Sequence, residues 1–324
     1  MRNHGYVEIG ILLYPGAQLA AVLGLTDLLA LSGRIANDRA EPVPPALHVT
    51  HWHIAAPGQP PSAGHASHPG AVDALDVLIL PPSLEAPISA EAAAPYLDWL
   101  RSLHDGGTTL ASVCAGAYLL GETGRVAGRT ITTNWAFTDS FATRFPEVLL
   151  DTDQLVIDAG DVLTAGGAMA WIDLGLRLVE RYLGTAVMLD TARTLLVDPL
   201  GRQQRYYSSF APRISHGDAA VLAVQNWLHD THARETASPD LARRAGMEER
   251  TFLRRFQKAT GMTATEYCQR VRVARARELL QSTRLPLERI AWDVGYSDRG
   301  SFHKVFSRIV GLTPGEYRRR FNAG

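Results

Sequence analysis

Cysteine is nearly absent from this chain, with Cys114 and Cys268 the only two in 324 residues. Two isolated thiols exclude a disulfide framework and fit a reducing compartment. Lysine is scarce as well. Of 32 basic residues only Lys258 and Lys304 are lysines, so an arginine by itself says little about partners. No positively charged leader precedes an apolar run, and no apolar stretch reads as long enough to span a bilayer. The expectation is therefore a cytoplasmic protein with no membrane partner. Net charge is almost missing too, at −1. That small total conceals a division. Residues 216–324 hold 19 Lys+Arg against 12 Asp+Glu, a net +7, while residues 1–215 hold 13 against 21, a net −8. A chain split this way carries one basic module for a polyanion and one acidic module for something else.

The basic part repeats itself. Gly246-Met247 is followed by Phe252 and Phe256, then by a stretch from Gly261 to Glu266-Tyr267. Gly295-Tyr296 is followed by Phe302 and Phe306, then by a stretch from Gly311 to Glu316-Tyr317. The phenylalanines and the Glu-Tyr pairs are offset by 50 residues, and a period this strict marks a duplicated structural unit. Each copy reads as helix, tight turn, helix. In the first, Ser238 is a natural N-cap, Pro239 suits the first helical position, and Asp240 complements the helix dipole. Leu241, Ala242 and Ala245 line one face, and Gly246 supplies the turn. In the second, Pro286 starts the helix, Ile290, Ala291 and Val294 line its face, and Gly295 turns the chain. These are the parts of two helix-turn-helix motifs, 238–258 and 286–308.

With the phenylalanines inward, the opposite face of each second helix is defined. In the first copy it carries Arg250, Arg254 and Gln257, with Leu253 at its edge; in the second, Lys304 and Ser307, flanked by Arg299, Gly300, Ser301 and His303. Long cationic and small polar side chains suit phosphates and base edges. Between the copies, residues 265–281 lack Pro and Gly and read as one continuous helix. At ~1.5 Å per residue it spans ~24 Å. With the width of each motif, that can set two recognition helices about one duplex turn apart, ~34 Å.

Residues from about 218 to 321 resemble the AraC/XylS DNA-binding domain, including its closing stretch from Gly311 to Arg318. The resemblance places base-facing residues at Arg250, Leu253 and Arg254 in the first motif and at Arg299, Gly300, Ser301 and Lys304 in the second. Leu253 departs from a polar reader and suggests contact with a thymine methyl or simple packing.

Upstream of residue 218 the pattern changes. Residues 198–217 lack sustained periodicity and sit where the charge changes sign, which reads as a linker. Residues 1–197 alternate apolar runs (7–14, 48–55, 77–80, 109–113, 130–133) with amphipathic ones (18–31, 89–103, 115–124, 135–145, 168–182). Strand-helix alternation predicts an α/β domain, a layered and mostly parallel sheet flanked by helices, preceding the all-α domain of 218–324. The Pro/Gly/Ser-rich stretch 57–70 reads as an exposed loop.

One stretch of the α/β domain suggests chemistry. Residues 109–113 read as a strand that runs into Cys114, small residues follow, and a helix begins. That is the layout of a nucleophile elbow, in which a helix N-terminus can lower the thiol pKa. A buried structural cysteine has the same local pattern. Over roughly 7–184 the domain resembles the ThiJ/PfpI group of the class I glutamine-amidotransferase-like superfamily. Tyr14-Pro15-Gly16-Ala17, residues 112–117, Thr132-Thr133-Asn134-Trp135, and Leu163-Thr164-Ala165-Gly166-Gly167 leading to Ile172-Asp173-Leu174 carry the likeness. Enzymes of the group place a carboxylate and usually a histidine beside the cysteine. Here the corresponding loop reads Leu19-Ala20-Ala21-Val22, and a Thr-His-Trp often found in such regulators is Thr133-Asn134-Trp135. A cysteine without base or orienting acid lacks the parts of nucleophilic catalysis.

Weaker signals point nowhere specific. His48, His51, His53, His65 and His68 fit no tetrahedral spacing. Asp27 reads as a helix-surface acid, and Trp135 and Trp171 as core rather than ligand cage. The reading is thus a sequence-specific transcriptional regulator, more often an activator by its resemblance, and not an enzyme. Its catalytically inactive sensor domain would bind a small metabolite, possibly an amino acid or other nitrogenous compound, beside Cys114, Ala115, Asn134 and Trp135. No cofactor or metal is expected. Double-stranded promoter DNA, RNA polymerase, the effector and a second copy of the chain are the expected partners. Two rivals remain: a cysteine-dependent amidase or hydratase fused to a DNA-binding module, and a thiol redox sensor.

Overall fold

Five parallel strands form the middle of the N-terminal sheet: β2 (Ala46–His53), β1 (Tyr6–Leu12), β4 (Val77–Leu80), β5 (Thr109–Val113) and β9 (Val162–Ala165), in that spatial order. Antiparallel β3 (Ser62–Ala66) and β8 (Val156–Asp158) close its two edges. The computed structural model describes residues 5–39, 45–69, 74–199, 201–214, 216–234 and 236–322. It divides into two units, Met1–Gln204 and Arg205–Gly324.

Every residue of β4, β5 and β9 is buried, as parallel strands covered by helices on both faces require. One face packs on α1 (Leu19–Asp38), α5 (Trp171–Leu183) and α6 (Thr185–Leu195). The other packs on α2 (Ala90–Asp105), α3 (Gly116–Glu122) and α4 (Thr138–Arg144). α1 and α5 approach closely because a Cβ on Gly24 would lie 2.4 Å from the Trp171 ring. Trp171 is thus a packing residue, as expected, and Asp27 is exposed.

The structure corrects several details of the sequence reading. α1 is long and apolar enough to cross a bilayer, with a mean hydropathy of 1.6 over its best window. Its Ala21, Val22, Leu25, Leu28 and Leu29 are instead buried on the sheet side, so the hydropathy is that of a core helix. The stretch read as an exposed loop contains β3, whose five residues are all exposed. An edge strand with no buried face leaves no alternation to read; Gly70 of that stretch lies outside the described residues. Residues 130–133 do not join the main sheet. Only Thr130–Ile131 form a strand (β6), paired with β7 (Leu149–Leu150). Thr132 is drawn off by hydrogen bonds from its N–H to Thr164 Oγ1 and from its hydroxyl to the Gln154 carbonyl.

The second unit is all helix: α7 (Ala219–Asp230), α8 (Ser238–Arg244), α9 (Glu249–Thr260), α10 (Ala264–Ser282), α11 (Leu287–Asp293), α12 (Arg299–Val310) and α13 (Pro314–Phe321). α8 begins one residue earlier than expected, with Ala237 rather than Ser238 at the cap. α10 is the continuous spacer, and its 19 residues span ~28 Å. It serves two separate cores. Tyr267, Cys268 and Val271 join Phe252 and Phe256; Val273, Ala276 and Leu280 join Phe302 and Phe306. The duplication reaches the ring geometry, with Phe256 edge-on to Tyr267 at 5.2 Å and Phe306 edge-on to Tyr317 at 5.6 Å. Gly246 and Gly295 turn each motif at φ +65° and +85°, where a side chain would be strained.

The stretch expected as a linker is divided between the two units. Arg202 pairs with buried Asp173 of the first unit, Gln204 is itself buried there, and Arg205 to Ser208 are held in the second unit. Leu200 and Ser215 lie outside the described residues.

Candidate DNA-binding surface and cysteine elbow

Four phenylalanines orient the recognition helices. Phe252, Phe256, Phe302 and Phe306 are at most 1% exposed, so the faces opposite them must point outward. On α9, Arg250, Leu253, Arg254 and Gln257 are all exposed, at the i, i+3, i+4, i+7 spacing of a single stripe. On α12, Arg299, Gly300, Ser301, His303 and Lys304 are exposed, but Ser307 is half-buried with its hydroxyl enclosed. Ser307 therefore leaves the open face on which the sequence placed it, because it turns toward the core with Phe306.

Ion pairing sorts the cations. Arg255 is bound through two 2.9 Å hydrogen bonds by Asp218, the N-cap of α7, and is spent on structure. Arg299 pairs with Glu288 at 2.5 Å, both side chains more than half exposed, so the pair is worth little and opens readily. Among the described residues, no ion pair engages Arg250, Arg254 or Lys304. Cations with no internal partner are available for phosphates or base edges. Asp298 fixes the start of α12 by accepting from the Ser301 N–H at 2.7 Å.

In the first unit, β5 delivers Cys114 into a turn at φ 53°, a strained backbone for a residue with a Cβ. α3 begins two residues on, and a Cβ on Gly116 would lie 2.3 Å from the Leu80 carbonyl, so only glycine lets the helix start this close to β4. The Cys114 backbone is pinned on both sides. Its N–H donates to the Ala165 carbonyl at 2.8 Å and its carbonyl accepts from Thr133 Oγ1 at 2.8 Å. Asn134 comes to the sulfur, donating from Nδ2 at 3.6 Å, while its Oδ1 accepts from Ala136 N–H. Among the described residues no other side chain is hydrogen-bonded to Sγ. Burial pushes the thiol pKa up; Asn134 and the Ala115 and Gly167 backbone N–H groups draw it back only in part. The helix start therefore does not produce a low-pKa thiolate. The stretch 19–22, read as a loop that could have offered an acid, is the first turn of α1, and its Ala21 is buried.

The structure places Ala115 and Asn134 at Cys114. Trp135 is half-buried, and its backbone N–H donates to Gln204 Oε1 at 3.1 Å. Nothing in the sequence pointed to Gln204 at this site, because it lies in a stretch without periodicity. The histidines lie in pairs, His48 stacked on His68 at 3.9 Å and His51 tilted beside His65 at 5.0 Å, and His51 Nε2 is hydrogen-bonded to Thr26. A cavity of about 320 Å³ lies against Asp173, Arg177 and Arg202, not at the cysteine.

Two tandem helix-turn-helix motifs on one spacer helix, joined to a doubly wound α/β unit with a cysteine elbow, define a class: DNA-binding regulators with an α/β companion domain. Comparison with known proteins agrees. Residues 241–320 match the helix-turn-helix domain family and residues 69–181 the DJ-1/PfpI family. The chain is 28% identical over 229 residues to the HTH-type transcriptional regulator GlxA of Rhizobium meliloti, covering 68% of each chain. It is 24% identical over 319 residues to the HTH-type transcriptional regulator CdhR of Pseudomonas aeruginosa, covering 96% of this chain and 91% of that one. Against ArgR of the same organism it is 24% identical over 241 residues, covering 74% and 72%. The chain is a DNA-binding transcriptional regulator that combines an AraC-type helix-turn-helix domain with an N-terminal DJ-1/PfpI domain.

Proposed function

We propose that this regulator reads promoter DNA through both motifs of each protomer and responds to a small metabolite held at the Cys114 elbow, without catalysis. Arg250, Leu253, Arg254 and Gln257 enter one major-groove segment, and Arg299, Gly300, Ser301, His303 and Lys304 the next. The observation that carries the reading is the duplicated helix with buried phenylalanines behind and, in front, Arg250, Arg254 and Lys304 in no ion pair among the described residues. Lack of catalysis rests on Cys114 having Asn134 as its side-chain partner and a raised pKa, since a nucleophile needs a base or a stabilised thiolate. Action in the cytoplasm as a homodimer that activates transcription with RNA polymerase completes the proposal. The test is to recover duplexes from a random-sequence pool with the full chain and footprint them. Two protected major-groove segments about one turn apart per protomer are expected; a single protected segment would overturn the two-motif reading.

One observation favours a second reading. The φ of 53° at Cys114 keeps the strained turn of a nucleophile elbow. If the sulfur reacts, in turnover or in oxidation, Cys114→Ser abolishes the response to effector while fold and DNA binding persist. If the elbow is a pocket wall, the same change shifts only the effector concentration needed.

A further inference from the structure

Three successive arginines, Arg318, Arg319 and Arg320, close α13, and each has a different setting. Arg320 donates to the Tyr207 hydroxyl at 2.9 Å. Arg318 is half-buried. Its Nη2 donates to the Leu285 carbonyl at 2.6 Å, and its Nε, also buried, has no partner. Arg319 is exposed. The rotation of α13 is fixed from two sides. A capping box of Thr313 and Glu316 starts the helix, and buried Tyr317 turns inward, its hydroxyl accepting from Gln281 Nε2 at 2.7 Å. The two residues after Tyr317 therefore meet the connection between α10 and α11. Asn322 holds that connection in place by donating to the carbonyls of Leu280 at 3.0 Å and Thr283 at 3.2 Å, acceptors that the end of α10 leaves open.

Arg284, Arg318, Arg319 and Asn322 together line a cleft of about 340 Å³, and no carboxylate lines it. Glu316, three residues before Arg319, accepts from the Thr313 N–H at 2.8 Å as part of the capping box. Among the described residues neither Arg318 nor Arg319 is in an ion pair. A concave wall of one charge focuses its field and concentrates counter-ions. The fold of the motif does not require these cations. The first copy builds the same edge-on pair, Phe256 against Tyr267, with Cys268 and Gln269 at the positions of Arg318 and Arg319. Favourable interaction with the helix dipole accounts for basic residues at the end of α13, but not for Arg284, which comes from another element and faces the same cleft.

We propose that this cleft is an oxyanion site for a phosphate group, carried either by the duplex backbone or by a free phosphate compound. Guanidinium groups present planar forks of N–H donors that match phosphate oxygens, and the bond from Arg318 to Leu285 sets one fork before the ligand arrives. The duplex source rests on the reading of the second unit as a DNA reader. Arg284 stands three residues before α11, the first helix of the second motif, and the first helix of a helix-turn-helix crosses the phosphate backbone.

The test uses the full chain, a double variant Arg284→Gln/Arg319→Gln at the two exposed arginines, and a control, Arg270→Gln/Arg275→Gln. The control removes the same charge from α10, where each arginine is already paired, with Glu266 and Glu278. Affinity for a duplex selected from a random-sequence pool, and for an unrelated duplex, is measured against salt. A backbone phosphate in the cleft predicts that the double variant loses affinity equally on both duplexes and that its salt slope falls by about 0.9, while the control keeps the wild-type slope. In parallel, inorganic phosphate is titrated against chloride at equal ionic strength, and the arginine Nε–H resonances of the wild type are followed by NMR. A saturable shift of the resonances that the double variant lacks, with its salt slope unchanged, assigns the site to a free phosphate compound. An unchanged slope with no such shift overturns the site, as does a control that lowers the slope as much as the double variant. A full chain that binds no duplex overturns the DNA-reading function, and the phosphate titration alone then decides the cleft.

Discussion

Cys114 shows how position in a fold can reverse what a residue type suggests. Its sequence setting is that of an activated nucleophile, and its backbone is strained as an elbow requires, but burial dominates and raises the thiol pKa. The thiolate fraction at neutral pH is then smaller than for an ordinary cysteine. Alkylation of Cys114 by iodoacetamide should be slow at pH 7 and rise with pH only beyond the range where a free thiol has already saturated. Asn134→Ala removes the side-chain donor that favours the thiolate and should slow it further. A fast reaction at pH 7 would restore the enzyme or redox rival. On the DNA face, Arg254 is exposed with no ion pair among the described residues. Arg254→Ala should cost ~1–3 kcal/mol and relax preference at one operator position if the guanidinium reads a guanine edge. A uniform loss across sequences would place it on phosphate. The same comparison for Lys304 assigns the second motif.

Within elements, the phenylalanine pairs were legible from spacing alone, and the two cores they build are separate clusters on one shared helix. Phe252→Ala should remove a buried ring worth ~3–5 kcal/mol and raise exchange in α8 and α9 before α11 and α12; Phe306→Ala should do the reverse. Equal loosening of both motifs by either change would mean that α10 transmits rather than divides. The stability of α10 also depends on pH. Burial raises the Cys268 pKa from near 9 to about 11. The folded state then holds a proton that the unfolded state gives up, so this stability is fully present below pH 9 and is lost as pH rises toward 11. Denaturant melts of the second unit should weaken over that window, and Cys268→Ala should flatten the slope. The elements that sequence missed share a cause. β3 is an exposed edge, β7 is two residues long, and β9 is four buried residues; each is too short or too one-sided to show a period.

For the whole molecule, charge division is the strongest sequence-level fact, and it has a measurable consequence. The second unit, expressed from Arg205, should bind duplex DNA with affinity that falls steeply with salt, because each neutralised phosphate releases counterions with a slope of about −0.9 per contact. A flat affinity between low and physiological salt would contradict a reader built on Arg250, Arg254 and Lys304. What the sequence by itself determined is local and periodic: the duplicated motif, its outward stripe, the spacer helix, the core strands and the glycine-flanked cysteine. Each follows from a pattern within about twenty residues, where helix and strand periodicity act. Tertiary structure alone decided which cations are free, since Arg255 is occupied by Asp218, 37 residues away. It alone placed Gln204 against Thr132 and Thr133, about 70 residues away, because a buried amide is fixed by whichever backbone groups need partners. It alone set the thiol pKa, which depends on the layers packed around Cys114 rather than on its neighbours in the chain.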